Sequence, residues 1–328
     1  MAKKIVVSLM VIGLVGMMFV HPVFAHNFVK NSDADLIAKI QEFKVESTLI
    51  ANSISDSKTA NWHISKSQEY WGINEMNTLT QQNATLANSL SSAINNLYSM
   101  SGSANPDLTI ASQNSVVLNQ LLDQVEASEI SSSVQNNATI QSLATLDVLN
   151  QVLIDYADAI GSKEDLTNMA NMNMNNMSMG SSGSMSGMSG MSGMKGMSGM
   201  NMGSSGSMTG TQMTIVDAPA YQSSQQLEIA AQSMFENVKS MAPPSASPYL
   251  VKIETAFGQL QQAINTKQSG DDVMMIVHEQ IHPNFISGLN IPLISNTSAV
   301  PEFPMPLLLV ILSFVSVIVI ARSLPKFR

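Results

Sequence analysis

The sequence predicts an all-α chain: an antiparallel helical bundle plus a second, smaller helical part, with a C-terminal transmembrane helix. Apolar residues recur at helical spacing in run after run, and no comparable run alternates as a strand does. A low-complexity stretch rich in Met, Gly and Ser separates the two helical parts. Near the C-terminus lies an uncharged apolar run, Met305 to Ala321.

The elements follow in chain order. Leu36, Ile37, Ile40, Phe43 and Ile50 mark a first helix, and Leu79, Leu86, Leu90, Ala93, Ile94 and Leu97 a second. Ser101-Gly102 and Asn105-Pro106 break the pattern. Val117, Leu118, Leu121, Leu122 and Val125 form a third stripe. Ile140, Leu143, Leu146, Leu149, Val152 and Leu153 form a fourth, stopped near Gly161. These four predict a bundle over residues 26–167. Residues 168–213, Asn/Ser/Gly/Met with Lys195 as the only charge, predict a disordered linker. Beyond it, Leu227, Ala230, Ala231, Met234 and Val238 run to Pro243-Pro244, and Leu250, Ile253, Phe257, Leu260 and Ile264 to Ser269-Gly270. A last helix, capped by Asp271 or Asp272, is expected to run through His282 and stop at Pro283. These form the smaller part, residues 214–295, either a small bundle of its own or docked on the first.

Composition narrows the function. Cysteine is absent, which excludes disulfide frameworks, zinc ribbons, iron–sulfur sites and thiol nucleophiles. Only 12% of residues are charged. Residues 26–301 carry ten Lys, no Arg and 23 acids, a net −13. A working region without Arg is poorly suited to nucleic acid, so no nucleic-acid partner is expected. An acidic surface suits cations or plain solubility. No catalytic triad, phosphate loop or dinucleotide fingerprint is present, and the chain is not expected to be an enzyme.

Both ends read as addresses. Lys3, Lys4, the apolar run Ile5–Val20 and Val23-Phe24-Ala25 form a signal peptide over residues 1–25. At the other end, a spacer over 296–304 precedes the transmembrane helix at 305–321 and the basic cytoplasmic tail at 322–328. Seventeen residues span about 25 Å as a helix, enough for a thin bilayer. The basic tail places the rest of the chain outside. Pro301, Glu302 and Phe303, followed by this span and tail, resemble the PEF-type sorting signal of archaeal surface proteins, especially those of ammonia-oxidising archaea. The resemblance covers about the last 30 residues. It implies an archaeosortase-like processing enzyme as partner, membrane anchoring and display at the cell surface; a plain single-span anchor is the alternative. Four sequons, at Asn83, Asn137, Asn176 and Asn296, offer glycosylation sites on an exported chain.

Three features suit metal. Met172, Met174, Met177 and Met179 fall within eight residues, and Met188, Met191, Met194, Met197 and Met200 recur every third position. Thioether sulfur is a soft, neutral ligand that selects Cu(I). The tract is similar to the Met motifs of copper importers and of periplasmic copper-resistance oxidases. Second, Asp271, Met275, His278 and His282 recur at i, i+4, i+7 and i+11, one narrow stripe of a helix. The same residues contain His278-Glu279-Gln280-Ile281-His282, which fits the zinc-protease pattern HExxH. Pro283 directly after it, and the lack of a downstream third ligand, weigh against protease chemistry. Third, signal cleavage after Ala25 makes His26 an N-terminus offering amine and imidazole to one ion, which resembles a histidine brace. His63, beside Trp62 and near Tyr70 and Trp71, reads as part of an aromatic cluster. The expected function is therefore extracytoplasmic copper binding, with other surface or copper-using proteins as further partners. A structural or adhesive surface protein whose tract is only a spacer is the alternative, and a zinc metalloprotease a third.

Overall fold

Asn and Asp side chains start most of the long helices. The computed structural model describes residues 28–168 and 212–293. The helices are α1 (Ser32–Ser53), α2 (Ser57–Tyr70), α3 (Ile73–Gln82), α4 (Ala84–Tyr98), α5 (Leu108–Glu129), the short α6 (Ser132–Gln135) and α7 (Ala138–Ile160). After the Met-rich tract come α8 (Ala218–Met241), α9 (Ser247–Asn265), α10 (Gly270–Met275), a π-helical turn (Ile276–Ile281) and α11 (His282–Leu289). Asn31, Asp56, Asn83, Asp107, Asn137 and Asp217 cap α1, α2, α4, α5, α7 and α8, their side chains accepting backbone N–H bonds. Each satisfies donors that the first helical turn leaves open.

The chain is all-helical, as its periodicity predicts; among the described residues the only β contact is an antiparallel bridge of Phe28 with Leu293. The signal peptide, the Met tract from Met172 to Met200, His26, Asn176, Asn296, the Pro301–Phe303 motif and the span at 305–321 lie outside the described residues. No helix among those described is long and apolar enough to cross a membrane.

Two expectations need correcting. The second apolar stripe is two helices, α3 and α4, because Asn83 ends one and caps the next. The last helix does not stop at Pro283. The His282 N–H bonds back to the Val277 carbonyl, five residues earlier, and Pro283 sits in the first turn of α11. The widened turn absorbs a residue that lacks an N–H and would crowd an α-helical carbonyl. Of the two arrangements open to the smaller helical part, it takes the docked one. Lys30–Ile291 falls within one compact unit, because α8 lies along α7 and also meets α1 and α2. Phe28, Val29, Pro292 and Leu293 fall in a second unit, in which the Val29 N–H donates to the Pro292 carbonyl.

Two apolar centres hold the first unit. Ile40, Phe43, Ile50, Leu90, Leu97, Leu118 and Leu122 share one cluster, closed by Trp71 stacked on Phe43 with ring centroids 6.4 Å apart. In the other, Phe235 lies 5.4 Å from Phe257 and 5.9 Å from Phe285, centroid to centroid. There α11 approaches α9 so closely that a Cβ on Gly288 would stand 2.8 Å from Tyr249 Cβ. A Cβ cannot swing away as a side-chain tip can. Gly288→Ala is therefore expected to cost about 1–3 kcal/mol of stability in urea denaturation.

Candidate functional site

The two described flanks of the Met-rich tract are fastened at one place. Helix α7 ends at Gly161 in the left-handed conformation (φ 66°), with the Ser162 N–H donating to Ala157 O. The chain then runs to Leu166, whose side chain is buried and would lie 3.0 Å from a Cβ on Gly270. His278 Nε2 lies 3.1 Å from the Leu166 carbonyl oxygen, which can only accept, so this nitrogen carries a proton. A neutral His278 then has its lone pair on Nδ1. On the return side, the Met213 N–H donates to Lys267 O at 2.8 Å, and the Val216 N–H to Ala159 O at 2.8 Å. Tyr156 Oη–H donates to Gln268 O, tying α7 to the same α9–α10 connection. Both described flanks of the tract are thus fastened beside the end of α7 and the start of α10.

The π-helical turn brings two predicted ligands together. The rings of His278 and His282 meet edge to face with centroids 4.7 Å apart, and both residues are buried. Asp271 and Met275 on α10 are half-buried. No group of three His, Cys, Asp or Glu side chains placed to hold a metal occurs among the described residues, so Asp271 does not complete a triad with the two imidazoles. Glu279 is exposed while its two flanking histidines are buried. Of the sequons, Asn83 and Asn137 are exposed helix caps. Their Oδ1 atoms accept the capping bonds, and a glycan on Nδ2 would leave that acceptor in place.

A buried polar cluster joins α1, α2, α7 and α8, and the sequence reading missed it. His63 does meet Trp62 edge to face, with centroids 5.1 Å apart. Its main partner, however, is Glu46: Nδ1 lies 2.7 Å from Glu46 Oε2 with both side chains fully buried. Ser223 Oγ lies 2.6 Å from Glu46 Oε1 and 2.6 Å from Asp155 Oδ2. Lys66 Nζ reaches Asp155 Oδ1 at 3.2 Å, and the Gln151 amide donates to the same oxygen at 2.7 Å. Burial pushes the Asp155 carboxyl up to about 6, with Lys66 and Ser223 opposing and Glu46 adding to the rise. Glu42, one turn before Glu46, is pushed up to about 8 by burial and by the nearby Asp155, Asp147 and Asp35. Burial opposes the charge on Lys66, yet Asp155 and Glu69 outweigh it and raise its pKa. The cluster supplies its own cation in Lys66, and its chemistry is that of protons.

Comparison of the chain with protein-family models, with curated proteins and with solved structures gives no match.

Proposed function

We propose that the chain is an exported, surface-anchored protein that binds copper outside the cytoplasm, as a scavenger, buffer or delivery factor. The Met tract is its Cu(I) site, and the His278–His282 pair, with Met275 on the preceding turn, is a second. The observation that carries this reading is the fastening of both tract flanks beside the histidine turn, through Leu166 with His278 and through Met213 with Lys267. A spacer serves by holding two bodies apart. Here the helices before and after the tract share one unit, so a spacer between bodies has nothing to separate. The described flanks of the tract instead meet at the end of the unit that carries two adjacent imidazoles. Peptidase chemistry is disfavoured, because HExxH lies on a π turn with buried histidines and an exposed Glu279. The signal peptide, Pro301-Glu302-Phe303 and the basic tail support export, processing by an archaeosortase-like enzyme and membrane anchoring.

Acid separates the two proposed sites. Thioethers do not titrate near neutral pH, whereas free imidazole has a pKa near 6.5. Cu(I) held by the tract is expected to survive acidification to about pH 4–5, and metal at the histidine pair to be released over that range. Replacing the tract's methionines with leucine should remove the acid-stable fraction and keep the labile one. His278→Ala with His282→Ala should do the reverse. Unchanged Cu(I) stoichiometry in the Met→Leu chain rejects the tract as a copper site and returns the structural reading.

A further inference from the structure

Ser223 carries one hydroxyl proton and touches two carboxyl groups. Its Oγ can donate to Glu46 Oε1 or to Asp155 Oδ2, each 2.6 Å away, but not to both. An oxygen–oxygen contact that short is a hydrogen bond only when a proton lies in it. The second contact therefore needs a proton on one of the two carboxyls. With both ionised, one carboxylate would face a serine lone pair in a fully buried site.

Every other partner is consistent with one added proton. From α2, His63 Nδ1 faces Glu46 Oε2, and Lys66 Nζ faces Asp155 Oδ1. From α7, Gln151 donates to Asp155 Oδ1. From α8, Gln222 Oε1 lies 3.4 Å from His63 Nε2. Glu42 on α1 adds negative charge near Asp155, and Tyr70 on α2 and Tyr98 on α4 feel the Glu46 charge without bonding to it. Two arrangements satisfy the serine. Glu46 donates to Ser223, which donates to Asp155; or Asp155 donates to Ser223, which donates to Glu46. They interconvert by moving two protons along the same three oxygens, so the proton belongs to the pair.

We propose that Glu46, Ser223 and Asp155 form a one-proton binding site that fastens α8 to α1 and α7. The site is independent of the copper reading. Loss of the proton places two like charges on one hydroxyl and loosens α8, the helix that follows the return flank of the Met tract. Burial of Asp155, which favours its protonated form, agrees with this.

The test uses the full chain in detergent, in a Glu42→Gln background so that the strongly raised carboxyl of Glu42 on α1 does not contribute. Urea unfolding is followed from about pH 4 to about pH 7, across the ordinary carboxylate range and up through the pair's own titration. The native pair holds one proton that the unfolded chain releases, so the site should raise the unfolding constant about tenfold per pH unit within its window. Adding Glu46→Gln supplies a permanent amide donor to Ser223 and should remove that contribution, flattening the profile. An identical slope with and without Glu46→Gln overturns the proposal. Should that variant fail to fold, infrared spectra of the background chain with ¹³C-labelled acids decide. A protonated-carboxyl C=O band that is stronger than in the Ser223→Ala chain near pH 5 supports the shared proton, and an equal band overturns it.

Discussion

Asp155→Ala is expected to lower stability by roughly 3–5 kcal/mol, the usual cost of stranding the partner of a buried ion pair. Lys66 is the stranded group: its side chain is only 12% exposed, and Asp155, fully buried, is its inward partner at 3.2 Å. Glu69 remains as a second partner at 3.2 Å but is 63% exposed, so it replaces little of the lost interaction. Gln151 loses its acceptor Oδ1 and Ser223 its partner Oδ2. Asp155→Asn keeps the volume and an acceptor for Gln151, presents an amide donor to the Ser223 oxygen, and should cost clearly less. Urea denaturation at neutral pH measures both, and equal costs would mean that the lost charge facing Lys66 sets the whole effect, with volume and the retained amide adding nothing.

Glu42→Gln should act in the opposite direction and stabilise the chain. The ordinary glutamate pKa of 4.5 is pushed up to about 8 in the folded chain, first by burial and then by Asp155, Asp147 and Asp35. A carboxyl raised on folding favours the native state fully below its unfolded pKa and loses that advantage as pH rises through the folded value. The native chain is therefore penalised between about pH 4.5 and pH 8, and the penalty levels off above that. At pH 7 it is on the order of 3 kcal/mol. An amide of the same shape escapes it. Wild type and Glu42→Gln should have similar melting temperatures near pH 4–5 and diverge with rising pH, the variant higher. Parallel melting curves across that range would contradict the raised pKa.

The helical stripes were legible because they bury aliphatic side chains. Helix α2 was not, because the residues it buries are Ala60, His63, Ser67 and Tyr70, which make no apolar periodicity. The π turn had no local signal beyond a proline inside a helical pattern, which ordinarily predicts a stop. The His278–His282 pair was legible as spacing, and its burial and the Leu166 contact were not, since Leu166 lies 112 residues away. The proton cluster draws its members from four helices, so no local motif contains it. One signal was present: Glu46 sits three residues after Phe43 and four before Ile50, and Asp155 three after Val152 and four before Ala159. An acid on the buried stripe of a helix has to find a partner or a proton, and that rule marks both residues.

The shared anchorage of the Met tract's two flanks was equally invisible, because low-complexity sequence carries no information about where its ends meet. That anchorage brings the helices on either side of the tract into a single unit, and copper binding by the tract's thioethers is the central claim. X-ray absorption at the copper edge of the Cu(I)-loaded full chain tests it most directly. Thioether binding predicts sulfur scatterers in the first coordination shell, retained near pH 4–5 and lost when the tract's methionines become leucine. A shell of nitrogen and oxygen alone, the same in wild type and in the Met→Leu chain, would contradict it.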